Sequence, residues 1–168
     1  MVLFEPLASA GYYGGEMAYT TAEARQQLLD AIADAIDQIA EALAALGVAY
    51  EQLDDAHADD LEEQLFRPIQ RAYGRAKRTY AQFAERHRLT AREFATPALR
   101  APSTGVKGLI EGAVDAVARA ENELVALQDS LMPVEVGDAQ LRAGLSEVRE
   151  LLGGLSGRAR AFVRTFGR

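Results

Sequence analysis

The sequence predicts an all-α protein, an antiparallel up-and-down bundle of four long helices, the second broken near Pro68, with an extended arm before it. Three observations predict this. Apolar residues recur at alternating steps of three and four along three long segments, the period that turns one stripe of a helix toward its neighbours. No segment sustains the strict alternation of a strand. The segments between the periodic ones carry the Gly, Pro and Asp that punctuate helices. At 168 residues the chain suits one domain, divided into an arm at 1–20 and a bundle domain at 21–168. No fixed repeat runs through it, which argues against a solenoid.

Residues 1–20 show no period. Tyr12, Tyr13, Met17 and Tyr19 alternate with Gly11, Gly14 and Gly15, which predicts an extended segment. Its aromatic side chains either pack along a groove of the domain or grip a partner. The first helix is expected over 21–46. Thr20 and Glu23 have capping-box spacing, and Leu29, Ile32, Ile36, Ile39, Leu43 and Leu46 step 3, 4, 3, 4, 3. Gly47 reads as its stop.

The second helix, 49–95, holds Pro68. On a helical wheel its first part turns Ala49, Leu53, Ala56, His57 and Gln64 inward, and its second turns Leu65, Ile69, Ala72, Ala76, Tyr80, Phe83 and Phe94 inward. The two stripes lie about 140° apart on an unbroken rod, so a break or kink is expected at Phe66-Arg67-Pro68, giving helices 49–66 and 68–95. Thr96-Pro97 and Ala101-Pro102-Ser103 bracket a loop.

The third helix, 104–131, carries Val106, Ile110, Ala113, Val117, Ala120, Leu124, Leu127 and Leu131. The fourth, 138–166, carries Leu141, Leu145, Val148, Leu152, Leu155, Ala159, Phe162 and Phe166, and Asp138 is its expected N-cap. Gly108, Gly112, Gly153, Gly154 and Gly157 fall inside these two helices. Close helix–helix approach is the favoured reason for them, with a bend or a wall opening onto a ligand as the alternatives.

Composition narrows the chemistry. There is no cysteine, which excludes disulfides, thiolate metal sites and cysteine nucleophiles. There are two histidines, too few for a three-imidazole site within one chain. No apolar run is long enough for a membrane span, and Met1–Pro6 lacks the basic start and apolar stretch of a secretory signal. The cytoplasm is the expected compartment.

Charge is strongly segregated. Residues 1–64 hold fourteen acids against Arg25 alone, while residues 65–168 hold eleven acids against seventeen bases, for a net −7. On the first helix Asp30, Asp34, Asp37 and Glu41 step 4, 3, 4, an acidic stripe opposite the apolar one. On the second part of the broken helix Arg67, Arg71, Arg75 and Arg78 step 4, 4, 3, again away from their seam. Both are solvated faces, or together they form a dipolar surface that orients a partner or a second copy. Nucleic acid is a poorer fit: Lys77, Arg86, Arg88 and Arg92 extend the basic face, but the chain is acidic overall and Tyr73 and Tyr80 lie toward the apolar side.

Catalytic and metal sets are incomplete. A carboxylate-bridged metal bundle calls for Glu-x-x-His, and the nearest fragments are Asp54-x-x-His57 and His57-x-x-Asp60, with Glu121 and Gln128 at a seam edge. A histidine satisfied by a carboxylate explains them equally. His87 suits a core or capping role. No serine sits in Gly-x-Ser-x-Gly, and Ser103-Thr104-Gly105-Val106-Lys107-Gly108 lacks both the full phosphate-loop pattern and a preceding strand. No catalytic residue and no cofactor is assigned. The expectation is a non-catalytic bundle acting by protein–protein contact or self-association. The alternatives are a bundle holding a small ligand or metal between helices, and an anion or nucleic-acid binder through Arg67, Arg71, Arg75 and Arg78.

Overall fold

The computed structural model describes residues 5–97 and 105–166. Among these the protein is all-α, without a strand. Its elements are α1 (Glu5–Glu51), α2 (Asp55–Leu61), a π-turn (Glu62–Phe66), α3 (Arg67–His87), α4 (Gly105–Asp129), α5 (Met132–Glu135), α6 (Ala139–Leu152) and α7 (Leu155–Phe166). No helix among the described residues is long and apolar enough to cross a membrane.

The expected seams form the core. Leu29, Ile32, Ile36, Ile39, Leu43 and Leu46 are buried in α1, and Ile110, Ala113, Val117, Ala120, Leu124 and Leu127 in α4. These two helices form the most extensive pairing. Six alanines of α1, from Ala33 to Ala49, are also buried, and their small side chains let the neighbouring rods come close. The π-turn and α3 supply Leu65, Ile69, Ala72, Ala76, Tyr80 and Phe83; Leu141, Leu145, Val148 and Leu152 of α6 pair with α3, and Leu155, Ala159 and Phe162 of α7 belong to the helix that packs on α4 and the π-turn.

Neighbouring rods run antiparallel, as contacts across them show. Arg25 reaches the Val136 carbonyl while Gln38, further along α1, meets Arg119. Arg75 reaches Glu147 while Arg86 reaches Asp138.

Five expectations are corrected. First, α1 begins at Glu5 and not near Thr20, so residues 5–20 are helical where an extended arm was expected, and Thr20 lies inside the helix. Extending a helix already held by its seam costs far less than starting one. Leu7, Ala8, Ala10, Glu16, Met17 and Ala18 are good helix formers, and Pro6 stands in the first turn, where no donor is needed. The first four residues of the expected arm lie outside the described residues.

Second, Gly47 does not stop α1, which runs on to Glu51. Mid-helix glycine costs about 1 kcal/mol, and burial of Ala49 beyond it offsets that cost. The chain turns instead at 52–54, and Asp54 caps α2 by accepting from the His57 backbone N–H.

Third, the interruption before Pro68 is a π-turn and not a helix end. The Arg67 N–H donates to the Glu62 carbonyl, five residues back. A widened turn gives the proline ring room against the preceding carbonyls and tidies the ladder where proline has no donor. The buried stripe then reads Ala58, Leu61, Leu65, Ile69, Ala72, while Ala56 and Gln64, expected inside, are exposed.

Fourth, α3 ends at His87 rather than Ala95. Arg88 takes the left-handed conformation at φ 55°, and the Leu89 N–H returns to the Ala84 carbonyl at 2.9 Å. This is a Schellman-type ending closed by an apolar residue that packs on the core. The segment beyond folds back: Phe94 meets Tyr80 edge-on at 4.9 Å, and the Arg92 N–H donates to the Tyr80 hydroxyl at 3.0 Å. The bracketing Ala101-Pro102-Ser103, and Thr104 at the expected start of the third helix, lie outside the described residues.

Fifth, the last helix is two. Gly153 is extended and Gly154 has φ +74°, so this glycine pair makes a bend, not a close approach. The close approach occurs at Gly144 of α6, where a Cβ would stand 2.3 Å from Thr79 Oγ1 of α3. Thr79 is itself buried and donates to the Arg75 carbonyl. At the end of α4, Leu131 leaves the seam at φ 65° and is 56% exposed.

Three substitutions test this packing by urea denaturation. Ile36→Ala is expected to cost about 2–5 kcal/mol. Gly144→Ala is expected to cost about 1–3 kcal/mol by overpacking against Thr79. Gly112→Ala, which meets open space in α4, is expected to stabilise by up to about 1 kcal/mol.

Candidate functional site

The arginine stripe of α3 holds together in space. Arg71, Arg75, Lys77 and Arg78 line a groove of about 710 Å³ with Gly74, Ala81, and Glu147 and Leu151 of α6. Apolar burial of Ile69, Ala72, Ala76 and Tyr80 turns these cations outward. Their pairing is uneven. Arg75 Nε donates to Glu147 Oε2 at 2.6 Å, and Arg67 Nε lies 3.6 Å from Glu62 Oε1. Lys77 Nζ sits 4.2 Å above the Tyr73 ring, whose hydroxyl burial pushes up in pKa, with the charge of Asp37 adding to it. Arg71 and Arg78 make no hydrogen bond or ion pair among the described residues and are exposed.

The acidic stripe of α1 is half engaged within the chain. Asp37 accepts from Arg92 Nη2, and this bond, ahead of the opposing desolvation, raises the arginine's pKa. Glu41 lies 3.4 Å from Arg119, which also donates to Gln38. Asp30 accepts from Gln26. Asp34 faces Glu123, a carboxyl that burial and then the Asp34 charge push upward, against Arg119. Among the described residues no arginine of the α3 stripe pairs with these acids. A cation beyond α3, Arg92, reaches Asp37 because the 89–94 segment folds back onto α1.

Of the candidate metal residues, His57 and Asp54 pair and Asp60 does not join them. His57 Nδ1 lies 2.8 Å from Asp54 Oδ2 and its ring meets Phe166 edge-on at 5.5 Å. The His57 backbone bond, and then its side chain, hold the Asp54 carboxyl below its usual range. Asp60 instead lines a small pocket with Gln64 and Arg158, and Gln128 accepts from Arg149. Among the described residues no three His, Asp or Glu side chains gather at metal-ligating spacing.

Two arrangements escaped the sequence. One joins α3 to α6: Asp138 accepts from Arg86 through both oxygens at 2.8 Å, from the Leu141 N–H at 2.8 Å, and lies 2.9 Å from His87 Nε2. Burial pushes this carboxyl up, but Arg86, Leu141 and His87 together outweigh it and hold it far below the usual carboxylate range. Asp138 was legible as an N-cap, but its partners 51 and 52 residues away were not.

The other concerns α2 and the π-turn. Asp55, Asp59 and Glu63 step 4, 4 and are exposed, and none makes an ion pair among the described residues. On an unbroken α-helix Asp59 and Arg71 would stand about 120° apart. The π-turn places one extra residue in a turn and returns about 100° of this. Asp59, Glu63, Arg67, Arg71 and Arg78 thus share the outer face of one rod, acids first and cations after.

No family model, curated protein or solved structure matches this chain.

The Asp138 cluster sets a pH dependence. A carboxyl whose folded pKa is depressed contributes stability above its unfolded value, about 3.9, and loses it as pH falls further. The urea midpoint of the wild type is expected to drop more steeply below about pH 4 than that of Asp138→Asn. Parallel curves would contradict this role.

Proposed function

We propose that this chain acts by protein–protein contact, associating with copies of itself through charged outer faces of its helices, and not by catalysis. The observation that carries this reading is the separation of unpaired charge. Arg71 and Arg78 on α3, Asp55 and Asp59 on α2, and Glu63 in the π-turn are exposed and lack ionic partners within the described chain. Isolated surface charges of this kind add little to stability, but segregated patches steer and orient association. Sedimentation velocity over a range of salt tests it. A species larger than the monomer is expected in low salt, dissociating as salt rises past about 0.15 M. A strict monomer at high protein concentration in low salt overturns the reading.

A second reading rests on a different feature. Ile110 and Val114 of α4 and Ala159 and Val163 of α7 line an apolar cavity of about 400 Å³, with Glu111, Asp115, Arg160 and Arg164 at its rim. That is the size and character of a small-molecule site. Native mass spectrometry of the purified protein is expected to show a bound apolar molecule, lost in Val163→Trp. Identical masses before and after denaturation would remove this reading.

A further inference from the structure

We propose that two copies of this chain pair antiparallel along the outer face of α2, the π-turn and α3, each setting its acidic half against the other's arginine half. This rests on the self-association reading and names the surface. Among the described residues the face is open to solvent except at Arg75, and its order of charges decides what fits it. Asp55, Asp59 and Glu63 come first, and Arg67, Arg71, Arg75 and Arg78 follow, all exposed except the half-buried Arg75.

An acidic peptide would match the arginines and meet repulsion from the three acids. A nucleic acid lying along the rod would meet the same repulsion from its phosphates. Only an occupant with the same charges in reverse order matches both halves, and a second copy related by a two-fold axis supplies it. Such an interface is isologous, so each contact occurs twice.

The register follows from the numbering. With the axis near Arg67, Glu63 of one copy meets Arg71 of the other, Asp59 meets Arg75, and Asp55 meets Arg78. Asp59 and Arg75 are about 24 Å apart along the rod, so the two ionic clusters fall on either side of the axis. The residue on the axis would face its own copy, and here Arg67 is already held by Glu62 of its own chain. Arg75 keeps free guanidinium donors beyond the one given to Glu147. The π-turn is required throughout, because without it the acids and arginines would lie on different sides of the rod.

Charge exchange tests the surface. Arg71→Glu/Arg75→Glu makes the face mostly acidic, leaving Arg67 and Arg78, and Asp59→Arg/Glu63→Arg makes it mostly basic, leaving Asp55. Each variant alone is expected to dimerise at least about tenfold more weakly than wild type in low salt by sedimentation equilibrium. Mixing the two is expected to restore a one-to-one dimer, and the chain carrying all four changes is expected to dimerise by itself. Circular dichroism checks folding, and recovery in the mixture cannot come from misfolded chains. If wild type dimerises but both variants dimerise equally well, this surface is overturned while self-association stands. If wild type is a monomer, both fall. If wild type is a monomer that retains duplex DNA through Arg71 and Arg75, the groove serves nucleic acid and the pairing is overturned.

Discussion

Mutual burial of the 3–4 seams is the constraint from which the rest of this structure follows. Ile36, Ile39, Leu61, Leu65, Ile69, Ile110 and Leu124 are each almost wholly removed from water, and each such side chain contributes about 1.5–3 kcal/mol by transfer alone. These residues fix the rotation of every rod about its own axis. Once Ile69, Ala72 and Ala76 face the core, Arg71 and Arg78 have no direction left but outward. The charged faces are set by the apolar ones.

Rotation about the axis is also where a small local feature has a long reach. The π-turn at Glu62–Phe66 accommodates Pro68, a matter of one missing donor. Its consequence is felt over the whole α2–α3 rod, because every side chain before it is turned relative to every side chain after it. Ala58, Leu61 and Leu65 before the proline and Ile69 and Ala72 after it all reach the core. The same turn brings the acids of α2 into line with the arginines of α3. A device explained by packing thereby sets the charge pattern that a partner meets.

Much of the fold is legible in the sequence because seams are periodic and periodicity survives without tertiary information. The stripes of α1, α4 and the final pair of helices are buried nearly as the spacing requires. Ends and breaks were less legible. Gly47 lies inside a helix while Gly153-Gly154 bends one, and nothing local separates the two cases. What separates them is whether the residues beyond the glycine are held to the same core face. Ala56 and Gln64 are exposed for a related reason: the chain turns at 52–54, so the rod that follows does not keep the phase of α1. The arginine stripe was legible as a stripe. The ties from Arg92 to Asp37 and from Arg86 to Asp138 were not, since they join residues more than fifty positions apart.

The rotational phase of the α2–α3 rod can be measured directly. The chain has no cysteine, so single cysteines introduced from Asp55 to Arg78 report one site each through their rate of thiol labelling. At high salt, where copies are apart, Asp59, Glu63, Arg71 and Arg78 are expected to label fast and Ala58, Leu61, Leu65, Ile69 and Ala72 slowly. Slow labelling at Ala56, His57 and Gln64, with fast labelling at Ala58 and Leu61, would contradict the phase on which both core and charge pattern depend.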